Sequence, residues 1–125
     1  MVSRKFKPSS KDIGQQAEQT ACQFLQSQGL QLVTQNFRCA CGEIDLIMQD
    51  KDTLAFIEVR TRQHKQFANA LESIDRNKQR KIIRTAHYYL QQKNLTFKMY
   101  CRFDVIAINP KSQLFEWIKN AFIEE

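Results

Sequence analysis

The stretch Gly42-Glu-Ile-Asp-Leu-Ile-Met48, followed after a polar segment by Leu54-Ala-Phe-Ile-Glu-Val-Arg-Thr61, decides the fold. Both pieces are apolar runs of strand length, and the polar residues between them are typical of a turn, so together they predict a β-hairpin. Side chains alternate along a strand, yet both runs carry apolar residues at successive positions. We therefore expect strands that are covered on both faces.

Asp45 and Glu58 interrupt these apolar runs. If the turn comprises residues 50–53, the two carboxylates lie directly opposite each other on one face of the sheet. Facing like charges destabilise a sheet by up to about 1 kcal/mol, and by more when they are desolvated. Two explanations stay open: a divalent cation held by Asp45 and Glu58, or a structural ion pair with Arg60 or Arg62. We favour Mg²⁺ or Mn²⁺, because these ions prefer oxygen ligands.

The 125 residues predict a loose basic arm over residues 1–11 and a single domain over residues 12–125. No apolar run approaches the roughly 20 residues that cross a bilayer, and the basic start lacks the apolar segment of a secretory signal. We therefore expect a cytoplasmic protein with no membrane partner. The formal net charge of +6 favours a polyanionic partner, for which nucleic acid is the commonest candidate.

The four cysteines do not have the spacing of a zinc site. Cys39 and Cys41 form a Cys-x-Cys pair, whereas Cys22 and Cys101 stand alone. A structural zinc site needs four convergent ligands, usually two spaced pairs. We interpret the cysteines as ordinary thiols.

Apolar periodicity and turn residues predict the order helix, three strands, helix, then one or two strands. This order indicates an α/β sandwich around a mixed β-sheet. The predicted elements are a helix over 12–28 that ends at Gly29, a strand over 30–38, the hairpin, an irregular mobile loop over 62–72, a helix over 74–92, a strand over 100–109, and a short edge strand or turn over 115–118.

Charged residues on the two predicted helices are further candidates. Glu18 lies at the edge of the first helix's apolar stripe, from where it either reaches over the sheet or stays solvated. On the second helix, Arg76, Arg80 and Arg84 form one basic stripe at a spacing of four residues. Such a stripe suits phosphate contacts that position a duplex without reading its sequence, although a solvated face is the ordinary alternative. The candidate nucleic-acid contacts are Arg38, Arg62, Lys78, Arg80 and Arg84.

Four motifs together resemble the small bacterial YraN family: Gly42-Glu-Ile-Asp-Leu-Ile, Phe56-Ile-Glu-Val-Arg, Phe103-Asp-Val-Ile and Asn120-Ala-Phe. The resemblance covers nearly the whole chain. It implies a restriction-endonuclease-like fold of the PD-(D/E)xK superfamily, with an αβββαβ core similar to that of archaeal Holliday-junction resolvases.

The resemblance also implies roles for single residues. Glu18 matches the helical Glu, Asp45 the metal-binding Asp, and Glu58 the second metal carboxylate. Lys78 matches a basic position on the following helix. Arg60 stands where the superfamily has its catalytic Lys, and an Arg stays charged and supplies only electrostatics and hydrogen bonds.

We accordingly expect a Mg²⁺- or Mn²⁺-dependent DNA endonuclease that acts on branched or flapped DNA in repair or recombination. The pairing of two chains as a homodimer, to cut two strands, is compatible with this function. The alternative that Arg60 favours is a non-catalytic nucleic-acid-binding protein that retains the nuclease fold. A third interpretation makes the carboxylates a structural ion-pair cluster in a protein that binds another protein.

Overall fold

A computed structural model describes residues 10–61 and 70–124 of the chain. Within these residues the fold consists of two α-helices, one 3-10 helix and five strands, and the predicted α/β class is confirmed. The αβββαβ order is present with one further strand at its end. In chain order the elements are α1 (Ser10–Ser27), β1 (Gln31–Cys39), β2 (Gly42–Asp50), β3 (Thr53–Thr61), the 3-10 helix (Ala70–Ser73), α2 (Arg76–Gln92), β4 (Tyr100–Ile108) and β5 (Phe115–Phe122).

The five strands form one mixed sheet in the order β1-β2-β3-β4-β5. All neighbours are antiparallel except β3 and β4, which run parallel and are connected through α2. The β2–β3 turn contains only Lys51 and Asp52, because pairing extends to Asp50 and Thr53. The register is nevertheless the one expected for a turn over residues 50–53.

One helix covers each face of the sheet, as the doubly apolar strands predicted. On one face, α1 packs Ala21 and Leu25 against Leu46 and Ile57. On the other, the buried face of α2 contacts Ile44, Phe56, Phe103 and Val105 through Ile82, Ala86 and Tyr89. Burial on both sides explains why these strands read as nearly continuous apolar runs.

The helix boundaries follow from local capping. Helix α1 begins at Ser10, two residues earlier than predicted, and ends before Gly29, whose φ of +99° suits glycine. Helix α2 begins at Arg76, two residues later than predicted, because Asp75 is its N-cap and accepts a hydrogen bond from the Lys78 N–H at 2.8 Å. None of the helices in the described ranges is long and apolar enough to cross a membrane.

Two predicted segments differ from the structure. The residues 70–73 form a 3-10 helix where an irregular loop was predicted; residues 62–69 of that loop lie outside the described residues, as do residues 1–9 of the predicted arm. The predicted short strand over 115–118 is an eight-residue edge strand, because β4 continues to pair with β5 as far as Phe103 and Phe122.

A fully buried carboxylate holds β5 to β4. Asp104 accepts hydrogen bonds from Arg102 Nε at 3.1 Å, from Trp117 Nε1 at 3.2 Å and from the Asn120 N–H at 2.9 Å. The Arg102 guanidinium also donates to Asp50 at 2.8 Å, next to the hairpin turn. This network lies at the register shift between β4 and β5 and supplies partners for the polar groups there.

Candidate metal and nucleic-acid site

The candidate site lies where β2 and β3 separate. Their backbone pairing ends at Leu46 and Ile57, although both strands continue beyond that point. In place of the next backbone pair, the Asp45 side chain accepts a hydrogen bond from the Val59 N–H at 2.8 Å. The Asp45 carboxylate thus accepts from the Val59 N–H, which has no β2 backbone partner at this point, and the hydrogen bond holds the side chain between the two separating strands.

The side chains of β2 do not alternate regularly between the two faces of the sheet near Asp45. Ile44 and Ile47 contribute to the same core cluster under α2, whereas Leu46 and Met48 face α1. Residues three apart in a regular strand face opposite sides of the sheet. The regular alternation of faces along β2 is therefore interrupted at Asp45, next to the point where β2 and β3 separate.

Three carboxylates meet at this point: Glu18 from α1, Asp45 from β2 and Glu58 from β3. Burial and then the charge of Asp45 raise the pKa of Glu18 to about 7. Burial and then the charge of Asp45 also raise the pKa of Glu58 to about 8. Glu58 is only 5% exposed. Burial also raises the pKa of Asp45, although the Val59 hydrogen bond opposes that shift. The metal-free cluster therefore retains protons near neutral pH.

Two cations stand beside Glu58. Lys78 Nζ is 3.7 Å and Arg60 Nε 3.8 Å from the same Glu58 oxygen, and both charges partly offset the rise in the pKa of Glu58. Neither contact is a hydrogen bond at that distance. The Arg60 Nε is buried and has no hydrogen-bond partner among residues 10–61 and 70–124, so it is a donor that a water or a phosphate oxygen could satisfy.

Asn36 is a member of the cluster that the sequence analysis missed. In the amide orientation that satisfies both neighbours, its nitrogen donates to Glu18 at 3.0 Å and to Glu43 at 3.2 Å. Its φ of +53° is a conformation that asparagine tolerates better than most residues. An asparagine within a β-branched and aromatic strand was the available signal.

The other predicted nucleic-acid contacts lie either on the rim of the carboxylate cluster or on another part of α2. Arg38 is exposed and pairs with Glu43 at 3.4 Å, on the rim of the cluster. Arg80 and Arg84 line a cavity of about 350 Å³ together with His87 and Glu124. The structure therefore does not bring the stripe of Arg80 and Arg84 together with Lys78, and Arg62 lies outside the described residues.

Helix α2 faces the start of β2 with Lys81 and Thr85, which the predicted site did not include. A Cβ atom on Gly42 would lie 3.0 Å from Thr85 Oγ1 and 3.6 Å from the Lys81 Cβ. The φ of Gly42 is +154°, where side chains are also unfavourable. Gly42 therefore allows α2 to approach the strand that carries Asp45.

The donor set of the cluster fits a hard divalent cation. Among residues 10–61 and 70–124, no group of three or more His, Cys, Asp or Glu side chains is placed so that together they could hold a metal ion. Mg²⁺ commonly takes only one or two protein carboxylates, with water and phosphate oxygens as its remaining ligands. Asp45 and Glu58 would be those two carboxylates, and a cation held by them would oppose the burial and the charge of Asp45 that together raise the pKa of Glu58.

Comparison with known proteins identifies the family. The profile of "Uncharacterised protein family UPF0102" matches residues 17–108, which include all three carboxylates. A UPF0102 protein of Psychromonas ingrahamii is 52% identical over 116 residues, covering 93% of this chain and 93% of its own length. One from Alcanivorax borkumensis is 45% identical over 120 residues, covering 94% and 96%. One from Coxiella burnetii is 50% identical over 109 residues, covering 87% and 90%. The chain belongs to the UPF0102 family.

Proposed function

We propose that this chain is a Mg²⁺- or Mn²⁺-dependent endonuclease that hydrolyses DNA phosphodiesters in the cytoplasm, on branched or flapped DNA during repair or recombination. The observation that carries the proposal is the convergence of Glu18, Asp45 and Glu58 beside Lys78 and Arg60, with the pKa values of all three carboxyl groups raised. Groups so perturbed, gathered where a sheet opens, are typical of functional sites. The resemblance of the chain's motifs to the YraN family, which implies a restriction-endonuclease-like fold, adds to this support.

The proposed roles follow from the charges. A divalent cation held by Asp45 and Glu58 would lower the pKa of a bound water and offset phosphate charge. Lys78 approaches Glu58 from α2 and would contact a non-bridging phosphate oxygen. Arg60 would donate its buried Nε–H to the phosphate or to the attacking water. Glu18 would accept a hydrogen bond from that water and so orient it for attack.

Metal-dependent cleavage of labelled DNA tests the proposal. The substrates are a duplex, a flap, a fork and a four-way junction, each with Mg²⁺, with Mn²⁺ or with a chelator. Wild type should cleave at least one of them, whereas Asp45→Asn and Glu58→Gln should lose cleavage by about 100-fold or more, since each removes a cation ligand. Asp52→Asn, in the exposed hairpin turn, is the matched control and should cleave as wild type does. Equal cleavage by wild type and Asp45→Asn would exclude this site.

Arg60 favours one alternative, a nucleic-acid-binding protein without catalysis. Its guanidinium stays charged and cannot take up a proton. This alternative predicts DNA binding without metal-dependent cleavage on all four substrates. Arg60→Lys then separates the two functions. If wild type does not cleave but Arg60→Lys does so with metal, Arg60 is the reason that catalysis is absent. Cleavage by wild type supports the endonuclease.

A further inference from the structure

Cys39 and Cys41 bring two free thiols together at the β1–β2 turn. Cys39 pairs with Gly42 across the two strands, so Ala40 and Cys41 form the turn itself. The two Sγ atoms are 2.7 Å apart. A disulfide bond is about 2.0 Å long, so the atoms would have to move by less than about 1 Å to form one. Both cysteines are half-buried rather than enclosed in the core, whereas Cys22 is buried. The sequence predicted ordinary thiols because spacing alone does not reveal this distance.

The surroundings of the two thiols differ in a way that suits thiol–disulfide exchange. The pKa of Cys39 is lowered overall. Burial, the largest single cause, raises it, but the hydrogen bonds with Cys41, Thr85 and the Gly42 backbone together lower it by more. The pKa of Cys41 is raised, first by its hydrogen bond with Cys39. Cys39 is therefore the better thiolate and Cys41 the partner that retains its proton. A reactive thiolate beside a second cysteine is the arrangement that exchange requires.

We propose that Cys39 and Cys41 are a reversible redox site that closes to an intrachain disulfide, with a low-molecular-weight disulfide such as oxidised glutathione as the oxidant. The Cys39 thiolate attacks one sulfur of the oxidant and releases one glutathione thiolate, which leaves a mixed disulfide on Cys39. Cys41 then gives its proton to the released glutathione thiolate, and its sulfur attacks the Cys39 sulfur and releases the second glutathione. The protein loses two electrons and two protons, and the oxidant leaves as two thiols.

The position of the pair indicates what the disulfide would change. The bond would close a ring of only three residues, and such strained disulfides are readily reduced, as a reversible site requires. The ring would directly precede Gly42, whose backbone lies against Thr85 and Lys81 of α2. Oxidation would therefore stiffen the start of the strand that carries Asp45. The redox chemistry itself does not depend on the proposed nuclease activity.

Thiol mapping of the full chain in glutathione redox buffers tests the proposal. After each buffer, free thiols are alkylated and the protein is digested with trypsin. Cleavage after Arg38 and Lys51 places Cys39 and Cys41 on one peptide, without Cys22 or Cys101. In oxidising buffer this peptide should lack two hydrogen atoms and take up no alkylating agent, and excess reduced glutathione should restore two alkylation sites.

Single substitutions separate a disulfide from independent thiol oxidation. Cys41→Ser should arrest the reaction at the mixed disulfide, with one glutathione on Cys39. Cys101→Ser, at an exposed cysteine on β4, is the matched control and should leave the disulfide unchanged. Two alkylated cysteines in every buffer, or separate glutathione adducts on Cys39 and Cys41 in the wild type, would overturn the proposal. These readouts do not involve DNA, so a failed cleavage assay leaves them unaffected.

Discussion

The metal-free protein should lose stability as the pH rises, because of the buried Glu58. Burial and the charge of Asp45 raise its pKa from 4.5 to about 8. An unfolded chain ionises this group near its ordinary pKa, so between the two values the folded protein holds a proton that the unfolded protein has released. The stabilisation is complete below the unfolded pKa and is lost as the pH rises through the folded pKa.

The size of this effect follows from one proton. The unfolding free energy should fall by about 1.4 kcal/mol per pH unit between the two pKa values. For a domain of this length that corresponds to about 5 °C in melting temperature per pH unit. Glu18, with a pKa raised to about 7 mainly by burial, adds a slope of the same sign at lower pH. The difference between wild type and Glu58→Gln therefore isolates the contribution of Glu58.

Thermal unfolding followed by circular dichroism, from about pH 5 to about pH 9 in the presence of a chelator, tests this reasoning. Glu58→Gln should have a shallower slope than wild type and should be the more stable protein at the alkaline end. Millimolar Mg²⁺ should raise the melting temperature of wild type at alkaline pH and leave Glu58→Gln unchanged. Asp52→Asn should follow the wild-type curve. Parallel curves for wild type and Glu58→Gln would refute the buried, protonated carboxyl group.

Four other variants test separate parts of the molecule. Asp104→Asn should lower the unfolding free energy by about 2 kcal/mol in urea denaturation, because Arg102 keeps only Asp50 as its counter-charge and Asp104 loses the charge that its other hydrogen-bond donors contact; a loss below about 1 kcal/mol would contradict that role. Gly42→Ala should cost about 1–2 kcal/mol, since its Cβ would press on a hydroxyl of α2, whereas Gly14→Ala in open helix surface should be neutral or stabilising by thermal unfolding. The double variant Arg80→Gln/Arg84→Gln should flatten the logarithmic salt dependence of DNA binding by about 1.8 if both contact phosphate, and an unchanged slope would exclude that stripe from the interface.

The fold could be predicted largely because its strands are covered on both faces and its turns have strong local signals. Gly29 ends α1 through its backbone conformation, as predicted, and Asp75 caps α2 with its side chain, two residues after the predicted start. The hairpin register followed from the polar turn, since a two-residue connection pairs Asp50 with Thr53. Each of these features depends on short-range chemistry that the sequence displays directly.

The candidate site could be predicted only in part, because its composition depends on packing. Helical periodicity groups Arg80 with Arg84 and predicts the apolar face of α2, but it does not say which charged residue beside that face comes to lie next to Glu58. Packing of Ile82 and Tyr89 on the sheet decides this and brings Lys78 to Glu58. The interrupted alternation of faces at Asp45 likewise could not be predicted, because the apolar residues of β2 follow one another without a regular alternation in the sequence.

A structural ion-pair cluster does not account for Glu58 as well as a cation site does. The same protein contains a structural ion pair for comparison: Arg102 donates to Asp50 at 2.8 Å, and this hydrogen bond lowers the pKa of Asp50. Glu58 has two cations nearby, yet its pKa is raised, because burial outweighs contacts of 3.7 and 3.8 Å that are too long for hydrogen bonds. A carboxylate kept only for stability would gain from closer contact with Lys78 or from replacement by an apolar residue. A buried carboxyl group beside Asp45, whose raised pKa the two cations only partly offset, supports our proposal that a divalent cation completes the site.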